Sequence, residues 1–278
     1  MNLSLPKLPL GAWVEQFEDW LTANFSPLFD LIKTVIGTMT ESLETVLLYF
    51  PPTALMIIIA ALAYLAGKWK LAVFAFLGLF LIDNLGLWEP SMQSLALVLT
   101  ASILSIVFGV PVGILCARSN TARNVISPVL DFMQTMPAFV YLLPAVSFFS
   151  LGVVPGVIAS IIFAVPPTIR LTNLGIRQVP AELVEAADSF GSTSFQKLVK
   201  LQLPLALPTI MAGINQTIML SLSMVVIASM IGAQGVGALV YRAVTQVKIG
   251  SGFEAGIAIV IIAILLDRLT QNAFKNKS

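Results

Sequence analysis

The sequence of 278 residues contains no histidine and a single cysteine, Cys116. Without histidine, Ser–His nucleophilic catalysis and His-ligated metal sites are excluded. One cysteine cannot build a disulfide framework within a chain, and Cys116 reads as structural at the end of an apolar run. No Gly-x4-Gly-Lys-Ser/Thr run occurs, so if ATP drives this protein another chain must bind the nucleotide and its Mg. Charge is scarce, at 10% of residues against about 25% in a soluble domain. A net charge of +1 gives no basis for a nucleic-acid partner. Residues 1–25 lack a basic stretch followed by an apolar core, so no cleavable signal is expected.

What the chain does contain is apolar. Hydrophobic residues make up 58%, and the mean hydropathy is +0.94. The expected fold class is an all-α polytopic membrane protein in the plasma membrane. Seven runs come near the roughly 20 residues that a bilayer requires. They fall at 46–66, 71–87, 92–116, 125–150, 154–172, 205–231 and 253–272. Ahead of them, Phe25, Leu28, Phe29, Ile32, Ile36, Met39 and Leu43 recur at steps of three and four, with polar residues opposite. That pattern predicts an amphipathic helix, read as a packing element because its polar face is acidic. Three regions follow: an extracytoplasmic segment with this helix at 1–45, two accessory spans at 46–90, and a core at 91–275.

The longest polar stretch of the second half lies at 178–204, between two of the spans. Its acidic residues (Glu182, Glu185, Asp188) precede its basic ones (Lys197, Lys200). Pro180 suits a helix start. Gly191 stands where a left-handed residue would close that helix. Thr193 and Gln196 have the spacing of a capping box for a second helix, and Pro204 marks its expected end. With this loop inside, eleven Lys and Arg side chains are cytoplasmic: Lys68, Lys70, Arg118, Arg123, Arg170, Arg177, Lys197, Lys200, Arg268, Lys275 and Lys277. Four (Lys7, Lys33, Arg242, Lys248) are outside. The N-terminus is then outside and the C-terminus cytoplasmic.

Other features weigh less. Pro137 and Pro144 sit seven apart in the fourth run, where lining a pathway and ordinary membrane-helix proline are balanced readings. Asn215, Ser221 and Ser223 in the sixth run are pathway candidates, with helix-to-helix hydrogen bonding the stronger reading for each. Asp131 lies within a span, and pairing with Arg123, Arg170 or a helix N-terminus would make it structural. Gly232 to Gly237 reads as a flexible turn before a short outer helix.

Glu185-Ala186-Ala187, three residues, Gly191, nine residues, then Leu201-Gln202-Leu203-Pro204 resembles the EAA loop of binding-protein-dependent ABC importer permeases. That family's pattern is Glu-Ala-Ala-x3-Gly-x9-Ile-x-Leu-Pro, and only its Ile departs, to Leu201. Leu130 to Leu142 (Leu-Asp-Phe-Met-Gln-Thr-Met-Pro-Ala-Phe-Val-Tyr-Leu) resembles the glycine betaine/proline betaine permeases of the OpuA and ProW type. The resemblance implies a type I core of five helices and a coupling helix docked in a groove of a separate ATPase subunit. Glu185, Ala186, Ala187, Gly191, Leu201, Leu203 and Pro204 would carry that coupling. It implies alternating-access import of a quaternary-amine osmoprotectant delivered by an external binding protein, with no cofactor and no catalysis on this chain. One loop per chain against two grooves in an ATPase pair predicts a homodimer. An ion-driven secondary carrier, a channel or scaffold, and a permease for another small solute are the alternatives. Uptake sensitive to ion uncouplers, or conductance without ATP, separates the first two.

Overall fold

The computed structural model describes residues 8–275, with side chains through Asn272. Lys7 and Lys277 of the charge count, and the side chain of Lys275, lie outside the described part. The described residues form helices and turns, with no strand among them. In order they are α1 (Leu10–Tyr49), α2 (Pro52–Asn84), α3 (Trp88–Arg118), α4 (Asn120–Thr135), α5 (Leu142–Phe149), α6 (Val153–Arg177), α7 (Ala181–Ser189), α8 (Ser194–Lys197), α9 (Leu203–Ser229), α10 (Val236–Thr245) and α11 (Ile249–Lys275). A 3-10 turn, Ala138–Tyr141, precedes α5, and a π turn, Leu198–Gln202, joins α8 to α9. Five stretches are long and apolar enough to cross a bilayer, α2 only with its two arms counted as one: α2, α3, α6, Ser194–Ser229 and α11. α4 and Ala138–Phe149, which meet at 107°, add a sixth stretch of that length and composition when the bent pair is counted as one span.

The difference from seven spans lies in α2. The expected spans 46–66 and 71–87 are arms of this one helix, broken at Gly67 and Lys68, where Lys68 adopts φ 63° and ψ −169°. Gly67 lies against Asn272 in the last turn of α11, and Gly78 against Ile261. At the opposite end of the bundle, Gln93 in α3 donates to Glu44, just ahead of α2 (3.2 Å). Both outer ends of the arms therefore lie together and the chain reverses at Lys68. Each arm is only about 23 Å long at 1.5 Å per residue, short of the ~30 Å hydrocarbon core.

α1 also departs from expectation. It starts at Leu10 rather than Phe25, with its break at Phe25 and Pro27 inside it. Beyond the break it lies across the ends of three helices. Phe29 stacks on Phe148 of α5 (4.6 Å between centroids), Gly37 meets Val154 of α6, and Glu44 meets α3. The amphipathic pattern is thus a packing face.

α6 is the centre of the core, between α3 and α9. In lipid, helices gain little from apolar contact alone, so small and polar residues hold them together. The Thr168 and Thr217 hydroxyls join α6 to α9 at 2.7 Å, and Thr217 also donates to the Ala164 carbonyl (2.8 Å). Asn215 donates to Asp267 (2.6 Å) and accepts from Thr270 (2.9 Å), tying α9 to α11.

The glycine-rich turn packs against α3 and α9. Ala233 and Val236 are buried, and the Val236 amide donates to Ser94 Oγ of α3 at 2.9 Å. Gly235 holds φ +120°, and a Cβ there would stand 2.4 Å from Ser94 Oγ. A Cβ at Gly237 would stand 2.4 Å from the Val225 carbonyl oxygen. Only glycine allows the backbones to come this close. α10 follows as the expected short helix.

Candidate coupling loop and pathway face

The loop after α6 is built from local signals. Pro180 stands at the N-cap of α7 and Glu182 in its first turn, where the helix dipole favours negative charge. Gly191 closes α7 at φ +74°. Its amide donates to the Asp188 carbonyl (2.9 Å), and the Ser192 amide donates to Ala187 (3.0 Å). These two bonds form a Schellman motif. Thr193 Oγ1 then accepts from the Gln196 amide (3.3 Å), and the Thr193 amide donates to Gln196 Oε1 (2.9 Å). The expected capping box is present. Lys197 Nζ bonds both oxygens of Asp188 at 2.6 and 2.7 Å, clamping α8 onto α7.

Pro204 does not end the second helix. The chain passes through the π turn, where the Leu203 amide donates to the Leu198 carbonyl, directly into α9. The register has already widened before proline's missing N–H falls due. Leu198 and Leu203 pack with Ile176, Ala206 and Ile210, rooting the loop in α6 and α9. Leu201 is half-buried beside them.

The rest of the loop faces outward. Glu185, Ala186 and Gly191 are exposed and Ala187 is half-buried. Phe190 is 90% and Phe195 69% exposed. Phenylalanines this bare between two internally bonded helices form an apolar knob with nothing of this chain against it. Phe190 is not among the residues of the Glu-Ala-Ala pattern.

A second region is an open face along α9 and the bent α4–α5 pair. Ala212, Gln216, Met219, Ser223 and Met230 are exposed along α9 at steps of three, four and seven. Pro137 and Pro144 are also exposed but share no helical face, because the 107° bend lies at Pro137. Pro144 stands in the first turn of α5, where its missing N–H disturbs nothing. Ser223 donates to its own helix at Met219 (3.1 Å). Asn215 is engaged with α11, and Ser221 is fully buried with its hydroxyl unpartnered. Both lie off the open face.

Two arginines of α6 brace the loop end. Arg170 donates to Asp131 and Gln134 of α4, both at 2.6 Å, which gives Asp131 the structural pairing expected of it. Arg177 donates to the Cys116 carbonyl (2.9 Å) and Asn120 (2.8 Å). Among the described residues no three Cys, Asp or Glu side chains converge as a metal site.

The family described as "Binding-protein-dependent transport system inner membrane component" matches residues 109–274. The glycine betaine transport system permease protein OpuAB of Bacillus subtilis is 58% identical, over 96% of this chain and 95% of its own. The glycine betaine/carnitine transport permease protein GbuB of Listeria monocytogenes is 55% identical, over 99% and 98%. The glycine betaine/proline betaine permease ProW of Escherichia coli is 48% identical, over 95% and 75%. Among solved structures, a chain of the MetNI methionine ABC transporter in an inward-facing conformation superposes with a TM-score of 0.61 at 20% identity. It covers 67% of this chain and 93% of that one. This chain belongs to the inner membrane components of binding-protein-dependent transport systems.

Proposed function

We propose that this chain imports glycine betaine, or a related trimethylammonium solute, as the membrane subunit of an ATP-driven transporter. The observation that carries the coupling role is the exposed, internally braced loop at 178–204, which presents the bare Phe190 between α7 and α8. An ATP-hydrolysing subunit grips α7 through Phe190, Glu185 and the alanines, and Gly191 sets the knob's direction. Leu198, Leu201, Leu203 and Pro204 pass the displacement into α9, one wall of the open face. Two copies facing each other give the ATPase pair its two loops and enclose a pathway between Pro137, Pro144, Gln216, Met219 and Ser223.

The loop end is cytoplasmic in this reading. Lys68, Lys70, Arg118, Arg123, Arg177, Lys197 and Lys200 gather there, and the positive-inside rule supports that orientation. The binding protein delivers solute at the opposite end, beside α1 and α10. The solute assignment is supported by 58% and 55% identity to permeases named for glycine betaine transport. Aromatic cages favour quaternary ammonium groups. Here Trp88 is buried while Trp13, Trp20 and Trp69 are exposed, Trp69 at the loop end, so a tight cage belongs on the binding protein.

Co-expression with candidate ATPase subunits and a binding protein tests this reading. ATP-dependent uptake of labelled glycine betaine, lost with Glu185→Lys while the chain still inserts, is the expected result. Uptake that persists without any ATPase contradicts it.

A further inference from the structure

The bend between α4 and α5 has a specific chemical cause and a specific remedy. In a helix each amide donates to the carbonyl four residues earlier. The Met136 amide does so, to Phe132 (3.1 Å). The next donor would be residue 137, and proline has no N–H. The Met133 carbonyl is therefore left without its helical partner, and in a dry environment that costs free energy. The Tyr141 hydroxyl donates to that carbonyl instead.

Tyr141 is buried, packed in one cluster with Ala159 of α6 and Met224 of α9. Its ring thus belongs to the α6–α9 block while its hydroxyl holds the end of α4. On the other flank Arg170 of α6 holds Gln134 and Asp131. α9 is the helix that continues from the loop at 178–204.

We infer that Tyr141 is a positioning residue: its hydroxyl replaces the amide missing at Pro137 and makes the end of α4 follow α9 when α9 moves. The inference rests on the proposed import function for its transport readout only. It predicts a rigid bend, fixed by one hydroxyl, in which the pathway face moves as a unit.

The test uses the full chain assembled with its ATPase and binding protein in lipid nanodiscs. Spin labels are placed at the exposed Val129 and Leu143, as Val129→Cys and Leu143→Cys with Cys116→Ser. The parent should give one narrow distance. Tyr141→Phe keeps the ring and should broaden that distance while ATPase co-purification stays unchanged, and should lower uptake per ATP hydrolysed about fivefold. Pro137→Ala restores an amide donor to Met133. In that background Tyr141→Phe should have less than about a twofold further effect, as the two donors are alternatives. An unchanged distance and unchanged uptake per ATP in Tyr141→Phe overturn the inference. So does an effect in the Pro137→Ala background as large as in the parent. The distance readout needs no transport. A wrong solute would silence uptake in parent and variant alike and leave the distances to decide.

Discussion

Two connections of this chain both carry glycine and are opposites as structure. The loop at 178–204 is open. Its bonds run within itself, through the Schellman turn, the capping box and the Asp188–Lys197 pair, and its apolar knob points away from the chain. The turn at 232–237 is tied to other helices: the Val236 amide bonds Ser94 of α3, and Gly237 lies against the Val225 backbone of α9. A segment that satisfies its own polar groups yet leaves phenylalanine bare is shaped for a partner. A segment with no side chains to spare is shaped to let helices touch.

Parallel substitutions sharpen that contrast. Gly237→Ala drives a Cβ into backbone that cannot yield, and should destabilise the purified protein by about 3 kcal/mol, read as thermal unfolding in detergent. Little loss there would break the contrast at its closed end. Phe190→Ala should leave that stability unchanged and weaken ATPase binding by about 2 kcal/mol, roughly 30-fold, as expected of a central aromatic anchor. Titrating the ATPase against permease in nanodiscs reads it. Glu185→Lys should cost about tenfold in the same titration without loss of membrane insertion. Ser94→Ala removes the acceptor for the Val236 amide and should cost about 1 kcal/mol of stability. Gly191→Ala has open space for its Cβ and loses only the ease of φ +74°, again about 1 kcal/mol. Equal stability losses at Gly191 and Gly237 would show that the two connections differ less than their surroundings indicate.

The parts legible in the sequence were those governed by short range. Thr193 with Gln196, and Gly191 after α7, are signals complete within a few residues, and the structure contains both. The apolar runs located the core helices because their length is set by the bilayer. Longer-range geometry was hidden. Nothing near Gly235 announces Ser94, which lies 142 residues from the amide it accepts. Pro204 read as a stop because the π turn that accommodates it depends on Leu198 packing against Ile176. Pro137 and Pro144 are spaced for one face of a straight helix. One of them bends the helix and the other falls in a first turn, which spacing alone does not distinguish. The count of spans depended on Lys68, whose left-handed conformation no local residue preference foretells.

The account turns on the loop at 178–204 being cytoplasmic and gripped there. The direct measurement is thiol labelling of Phe190→Cys, in a Cys116→Ser background, with a membrane-impermeant reagent. Inside-out vesicles carrying the permease alone should label fully, and co-assembly with the ATPase should protect the site at least tenfold, as burial in an interface requires. Labelling from the outside of intact cells, or equal labelling with and without the ATPase, would contradict it.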